Sequence, residues 1–256
     1  MSVYTTEITS DQITSDNPIH QRLLQAYYLA KPYIKGKLLE LGCGEGRGID
    51  VIAPLAEQYT AIDKIDPVIQ KLKLKYPSYR FESDHFPPFP FPDNSFDSIV
   101  TFQVIEHIQD DELFVKEIHR ILRPGGTALI TTPNIRMTLT RNPWHIREYT
   151  ADELTTLCRK YFEQVTMKGV AGNEKVMEYY ERNKASVKKY TRFDVLNLQY
   201  RLPAALLRIP YDLLNRLNRD GLQKEGDELV SSIQHEDYLL MDQDERNLDL
   251  FVVLKK

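Results

Sequence analysis

Short apolar runs separated by polar, amphipathic segments occur along most of this chain. The runs that predict buried strands are 38–42, 59–63, 79–83, 97–102, 127–132, 163–170 and 248–254. Helical spacing of apolar residues predicts helices between the first five runs, at 47–57, 66–75 and 109–122. Strands that alternate with helices are typical of right-handed βαβ units and a parallel sheet. The last run follows a polar stretch and not a helix, which predicts an antiparallel strand inside a seven-stranded, mostly parallel sheet.

The two ends of the predicted α/β domain frame a helical insertion. We expect residues 1–15, rich in Ser, Thr and Asp, to be flexible and residues 16–35 to form an N-terminal helix. The apolar stripe of that helix predicts packing on the domain edge or a flap over a cofactor, and the two are compatible. The domain is predicted to comprise 1–170 plus 236–256, with 171–235 inserted before the last strand.

The insertion is unusually basic and contains an amphipathic segment. Between residues 175 and 219 there are ten Lys and Arg against four Asp and Glu. One face of the segment carries Leu202, Leu206, Ile209, Leu213 and Leu217, and the opposite face carries Arg201, Arg208, Asp212, Asn215 and Arg219. Pro210 is predicted to kink or split the helix. Two interpretations stay open: a cap whose stripe packs on the core, or a surface (196–219) that closes over an extended substrate or rests on an anionic membrane.

Composition limits the classes of function. A net charge of −4 and a pI near 5.9 argue against a nucleic-acid partner, which requires a basic face. Cys43 and Cys158 are far apart in sequence, so we expect reduced thiols and a cytoplasmic location, with the membrane surface as the peripheral alternative. The polar N-terminus does not resemble a signal peptide, and no apolar run reaches the roughly 18 residues that a spanning helix needs.

Four glycines at alternate positions follow the first predicted strand. From Gly42 to Gly48 they allow a tight turn and let a ligand approach the bare backbone, and the helix predicted next offers unpaired amides. The second strand ends in Asp63, at a spacing where a carboxylate accepts hydrogen bonds from a ribose. Together these features predict a nucleoside cofactor across the strand ends.

An acidic residue two positions before the first glycine narrows the class of cofactor. Glu40 would repel the pyrophosphate of a dinucleotide. A cofactor with an amino group would be bound by it, because charge-assisted hydrogen bonds are roughly twice as strong as neutral ones. The turn therefore favours S-adenosylmethionine over NAD, with a turn required only for strand–helix packing as the alternative.

Five stretches then follow one another in a familiar order: Leu39 to Gly46, Pro90 to Asp97, Val104 to Ile108, Arg120 to Gly126 and Thr132 to Asn134. They resemble the motifs of the class I S-adenosylmethionine-dependent methyltransferases, most of all the branch of quinone-biosynthesis and small-molecule enzymes. The resemblance covers about 35–170 and 245–256. It implies a Rossmann-like, doubly wound sheet and a methyl-donor cofactor, and it says little about the acceptor.

The resemblance also implies roles on the methionine side of the cofactor. Gly42, Gly44 and Gly46, with Cys43 among them, would shape the methionine pocket. Glu40 would face the ammonium group directly or through water. Gln103, just past the fourth strand, would line the same side.

On the nucleoside side, the resemblance implies four further contacts. Asp63 would hold the ribose hydroxyls and Lys64 would flank the adenine. Asp84 would accept a hydrogen bond from the adenine amino group, with His85 beside it. The loop after Asp84 is about two residues longer than is usual in the family, which affects the placement of His85.

Two histidines are candidates for the base that takes a proton from a hydroxyl acceptor. His107 either acts as this base or orients its loop by hydrogen bonds. His145 lies in the stretch 134–149, where Trp144 and Tyr149 are predicted to form a substrate wall, unless the stretch is a packing loop. No spacing typical of metal ligands is visible, and we expect no metal.

These features predict an S-adenosylmethionine-dependent methyltransferase that releases S-adenosylhomocysteine. The acceptor would be an O or N nucleophile on a small molecule or on a lipid- or glycan-linked molecule. A Rossmann-type NAD(P)-binding oxidoreductase and a non-catalytic S-adenosylmethionine-binding protein are the alternatives. The sequence identifies neither the acceptor nor the oligomeric state.

Overall fold

One eight-stranded sheet runs through the computed structural model, which describes residues 14–256 except 193 and 195. Its strands are β1 (Lys37–Leu41), β2 (Gln58–Asp63), β3 (Arg80–Ser83), β4 (Phe96–Phe102), β5 (Leu122–Pro133), β6 (Gln164–Gly172), β7 (Tyr238–Asp242) and β8 (Asp249–Lys255). Their spatial order is β3-β2-β1-β4-β5-β8-β6-β7. Neighbours among β1 to β5 pair in parallel, and β8 lies antiparallel between β5 and β6. The mostly parallel sheet with an antiparallel last strand is confirmed.

Helices cover both faces of the sheet. They are α1 (Asn17–Ala30), α2 (Ile49–Ile52), α3 (Asp66–Lys75), α4 (Asp111–Ile121), α5 (Ala151–Arg159), α6 (Glu174–Thr191), α7 (Leu198–Arg201), α8 (Ala204–Glu225) and α9 (Asp227–Ser232). One buried apolar cluster contains Tyr27 of α1 and Leu72 of α3, and the other contains Phe114 of α4 and Leu154 of α5. Because both faces are covered, the strands consist of nearly continuous apolar runs.

One of the eight strands, β7, was not predicted from the sequence. β7 pairs antiparallel with β6 at the edge of the sheet, and only Tyr238 at its start is buried. Leu239 and Met241 are 45% and 48% exposed. Backbone pairing therefore holds this strand, and its side chains carry little of the burial that makes a strand recognisable in a sequence.

Two prolines affect helices differently from the prediction. The helix predicted at 47–57 is only α2 followed by a 3-10 turn, Ala53–Leu55, since Pro54 lacks an amide for a continued α-helix. Pro210, by contrast, does not split α8, which continues through it. Pro210 and Leu206, whose carbonyl loses its helical partner, are both exposed, so solvent can satisfy that carbonyl.

The amphipathic segment has the opposite orientation from the cap interpretation. Leu206, Ile209, Leu213 and Leu217 of α8 are 65%, 80%, 60% and 53% exposed. The polar face turns inward instead, and its Arg219 guanidinium lies 2.9 Å from the carboxylate of Asp16. The stripe therefore does not pack on the core.

Other parts of the insertion do join the core, namely residues of α6, of the C-terminal part of α8 and of α9. Val176, Tyr179, Leu222 and Val230 belong to the same buried cluster as α1. None of the described helices is long and apolar enough to cross a membrane. The division of the chain into a domain and an insertion stays a prediction.

The N-terminal segment is only partly described. Residues 1–13, most of the stretch expected to be flexible, lie outside the described residues. Ser15, at the end of that stretch, is buried and donates a 3.0 Å hydrogen bond to Asp220. The folded part of the protein therefore includes this residue.

Candidate functional site

The glycine turn and Asp63 meet at the carboxyl ends of β1 and β2. Asp63 ends β2, and its Oδ2 accepts a 2.8 Å hydrogen bond from the Gly44 amide while Oδ1 accepts one of 3.0 Å from the Ile65 amide. Gly44 has φ of +50°, and a Cβ built on it would meet no atom within 4 Å. At Gly42, with φ of +76°, a Cβ would lie 2.4 Å from Val104. Only glycine combines this backbone geometry with bare space beside the carboxylate.

A cavity of about 1020 Å³ opens over these residues. Predicted cofactor residues that line it are Gly42, Cys43, Gly44, Gly46, Asp63, Lys64, His85 and Gln103, and the catalytic candidate His107 lines it too. The structure thus brings together side chains from the ends of β1, β2 and β4 and from the loop after β3. This is the edge of an open α/β sheet where ligands bind.

α1 forms one wall of the same cavity. Leu23 and Tyr27 line it, while Ala26 and Ala30 of the same helix are buried. Helical spacing of its apolar residues was the signal for this contact, although the sequence did not decide between edge packing and a flap. The helix has both contacts because Tyr27 lies between the sheet and the cavity.

Glu40 lies behind the cavity wall and does not line it. Its carboxylate is 1% exposed, accepts a 2.7 Å hydrogen bond from the Tyr27 hydroxyl, and accepts a second one from the Tyr59 hydroxyl. Burial raises the pKa of Glu40 to about 7, against the opposing effect of the two tyrosine hydrogen bonds. A direct contact with a ligand ammonium would require Tyr27 to give up its hydrogen bond, so the predicted role of Glu40 stays a prediction.

Of two further predicted cofactor residues, Gln103 lines the cavity and Asp84 does not. Gln103 has a positive φ of 58°, a strained backbone of the kind that concentrates at functional sites. Asp84 is exposed and does not line the cavity, and its Oδ1 accepts a 2.7 Å hydrogen bond from the His85 amide. The predicted contact of Asp84 with adenine therefore stays a prediction.

His107 and His145 come together although 38 positions separate them in the sequence. Their rings meet edge to face with centroids 4.9 Å apart. The His107 Nδ1 lies 3.0 Å from the Trp144 carbonyl, so Nδ1 must donate and Nε2 is the nitrogen that can accept a proton. The His145 Nδ1 lies 2.6 Å from Glu148, and its Nε2 lies 2.8 Å from the amide nitrogen of Asn142. Sequence reasoning missed both Glu148 and Asn142.

Glu106, His107 and His145 form a group that sequence spacing did not show. Ligand atoms of the three lie within 4.8 Å of one another. Glu106 is 1% exposed and accepts a 2.9 Å hydrogen bond from Thr132, and burial raises its pKa to about 7. Each of the three has a hydrogen-bond partner outside the group, and both ring nitrogens of His145 have one. The expectation that no metal is required stays a prediction.

The predicted substrate wall does not line the cavity. Tyr149 is 4% exposed and its hydroxyl donates a 2.7 Å hydrogen bond to Asp111 at the start of α4, so it closes the core. The indole of Trp144 donates a 2.9 Å hydrogen bond to Asp212 of α8, and the Arg208 guanidinium lies 4.3 Å from the ring centre. Trp144 therefore reaches the site through its carbonyl bond to His107 and not through its ring.

The protonation state of His107 can be measured without the methyl acceptor. Burial, followed by the nearby His145, lowers the pKa of His107 to about 4 from 6.5. We expect its imidazole to stay neutral from pH 8 down to about 5, with a nuclear magnetic resonance titration midpoint near 4. The spectrum of His107→Asn assigns the signal, and a midpoint near 6.5 would contradict the buried, hydrogen-bonded placement of the ring.

Comparisons with known proteins point to methyltransferases. A family model described as a methyltransferase domain matches residues 39–130. A probable S-adenosylmethionine-dependent methyltransferase of Mycolicibacterium smegmatis is 42% identical over 126 residues, which are 47% of this chain and 49% of that relative. The mitochondrial ubiquinone biosynthesis O-methyltransferase of Mus musculus is 28% identical over 120 residues, 43% of this chain and 32% of the relative.

The fold has relatives of known structure as well. A methyltransferase from Thermotoga maritima, described as a possible histamine N-methyltransferase, superposes with a TM-score of 0.60 at 16% identity. The superposition covers 95% of this chain and 91% of the other. At this identity the likeness shows the fold alone. The match spans about half the length of the mycobacterial relative and 32% of the length of the mouse protein.

Proposed function

We propose that this chain is a class I S-adenosylmethionine-dependent methyltransferase and that it transfers the methyl group of S-adenosylmethionine to a hydroxyl of its acceptor. The observation that carries the proposal is the Gly44–Asp63 contact at the base of the cavity. It presents a carboxylate and a bare glycine backbone to the same space. An N acceptor on a small molecule is the second candidate, since the resemblance does not separate the two.

The residues around the cavity fit the cofactor that the family uses. Asp63 has spare lone pairs for two ribose hydroxyls even after it accepts from two backbone amides. Gly42 and Gly44 would shape the methionine pocket, Lys64 and His85 would flank the adenine, and Gln103 would lie on the methionine side. Bound S-adenosylmethionine supplies an electrophilic methyl group and a neutral thioether as the leaving group.

The protein then has two tasks, alignment and proton removal. Alignment of the acceptor oxygen with the methyl carbon and sulfur can lower the barrier by about 7–11 kcal/mol at most. The proton of the acceptor hydroxyl passes to Nε2 of His107 as the new C–O bond forms. His145, oriented through Nδ1 by Glu148, touches the edge of the His107 ring and so keeps that ring in position.

Transfer of a trideuterated methyl group tests the proposed activity. We expect S-adenosylhomocysteine and a mass-shifted product when the protein is incubated with labelled S-adenosylmethionine and an extract separated into soluble and membrane fractions. Asp63→Ala at a concentration of S-adenosylmethionine below the variant's dissociation constant serves as the low-activity control, because it weakens cofactor binding and leaves the extract unchanged. No S-adenosylhomocysteine above that control in either fraction would favour the non-catalytic alternative, and NAD binding without methyl-donor binding would favour the oxidoreductase.

A further inference from the structure

The insertion exposes many large apolar side chains to solvent. The described residues with exposed large side chains there are Leu196, Leu198, Tyr200, Leu206, Ile209, Leu213, Leu214 and Leu217. The four of α8 that share a stripe recur at helical spacing, so they form one continuous band. We call these four residues of α8, Leu206, Ile209, Leu213 and Leu217, the exposed stripe. Contiguous exposed apolar surface on a folded protein marks an interaction site.

The inward side of α8 is fixed by polar contacts, so the helix cannot simply roll to bury the stripe. Arg216 and Arg219 lie 3.0 and 2.9 Å from the carboxylate of Asp16, which is 1% exposed. Asn218, 6% exposed, donates a 2.8 Å hydrogen bond to Asn183 of α6. Rotation would leave Asp16 buried without its cations, which is strongly unfavourable.

The charges of the insertion indicate which partner covers the exposed stripe. Lys188, Lys189 and Arg201 are exposed on the same insertion. Between residues 182 and 219 the sequence has two acids, Asp194 and Asp212. Asp194 accepts hydrogen bonds from the backbone at the start of α7, and Asp212 accepts one from Trp144. The surface therefore combines apolar side chains with surplus cations.

We propose that the exposed stripe rests on an anionic lipid bilayer. The apolar side chains insert among the lipid tails, and anionic headgroups attract the exposed Lys and Arg of the insertion. A second copy of this chain fits less well, because a twofold contact would place the same basic surface against itself. The surface binds the interface in the plane of the membrane, as an amphipathic helix does.

The same helix is connected to the chemistry. Asp212 and Arg208 of α8 hold the Trp144 ring, and the Trp144 carbonyl accepts from His107. Arg141 of the same loop donates to the carbonyls of Gln199 and Leu202. A bilayer that docks on the exposed stripe of α8 thus lies one helix diameter, roughly 10 Å, from the loop that orients His107. If the proposed methyl transfer holds, this placement favours an acceptor carried by a lipid.

Flotation with vesicles tests the proposal without cofactor or acceptor. We expect the full chain to float with vesicles of phosphatidylcholine and phosphatidylglycerol at low salt, less at high salt, and little with phosphatidylcholine alone. The double variant Ile209→Glu with Leu213→Glu should reduce the bound fraction by about tenfold or more. Leu74→Glu is the control for one added charge, because Leu74 is 85% exposed on α3, outside the insertion.

Three results would overturn the proposal. The first is no flotation with anionic vesicles at low salt, and the second is flotation that the double variant leaves unchanged. The third is a dimer of the unmodified chain that the double variant converts to a monomer, without vesicle binding. S-adenosylmethionine binding by the double variant should equal that of the unmodified chain, so failure of the membrane proposal is distinguishable from failure of the proposed function.

Discussion

Asp63→Ala is expected to weaken S-adenosylmethionine binding by at least about 100-fold. A hydrogen bond to a charged group contributes about 1.5–3 kcal/mol, and the variant loses the acceptor for two ribose hydroxyls. It also releases the Gly44 and Ile65 amides, which Asp63 holds at 2.8 and 3.0 Å, so the glycine turn loses its anchor. Isothermal titration calorimetry measures the dissociation constant.

Two further variants serve as controls for the affinity of Asp63→Ala. Asp63→Asn keeps one carbonyl oxygen and should bind with intermediate affinity. Asp66→Ala removes an exposed acid three positions away in the first turn of α3 and should bind normally. A folded Asp63→Ala protein that keeps its affinity within about twofold would show that the ligand does not contact this carboxylate.

His107→Asn is expected to reduce kcat by about 10²-fold, the low end of the usual contribution of a general base, because an imidazole with a pKa of about 4 accepts a proton weakly near neutral pH. The Asn side-chain amide can still donate to the Trp144 carbonyl, so the loop keeps its anchor while the proton acceptor Nε2 is lost. The rate of S-adenosylhomocysteine release is measured with the acceptor fraction found by isotope transfer. The dissociation constant for S-adenosylmethionine should change little, which separates catalysis from cofactor binding.

A histidine outside the site gives the control for this second variant. His119 lies on α4 with its ring against Phe162, and His119→Asn should keep kcat. If His107→Asn lost less than about tenfold in kcat, His107 would only orient the loop, and an amine acceptor that needs no base would be favoured. Unchanged folding of both variants is checked by thermal unfolding.

Sequence reasoning predicted the sheet well because buried parallel strands leave a strong apolar pattern. α3 was predicted at 66–75 and begins and ends at those positions, Asp66–Lys75. β7 was missed because an edge strand that pairs through its backbone does not need that pattern. The contacts of His145 with Glu148 and Asn142 could not be predicted either, since several loop conformations are compatible with the same spacing.

The orientation of side chains was the least predictable property of the chain. Helical spacing identified the stripe of α8, but it could not tell which face packs inward. The inward face is instead fixed by the ion pairs of the buried Asp16 with Arg216 and Arg219, which join residues 200 or more positions apart. The surroundings of Glu40 could not be predicted for the same reason. The two tyrosines that donate hydrogen bonds to its carboxylate come from α1 and β2.

Calorimetric titration of the unmodified chain with S-adenosylmethionine measures whether the cavity is a methyl-donor site. We expect saturable binding with one cofactor per chain, competition by S-adenosylhomocysteine at the same site, and no binding of NAD. Absence of heat at saturating S-adenosylmethionine, or binding of NAD in its place, would show that this protein does not use a methyl donor.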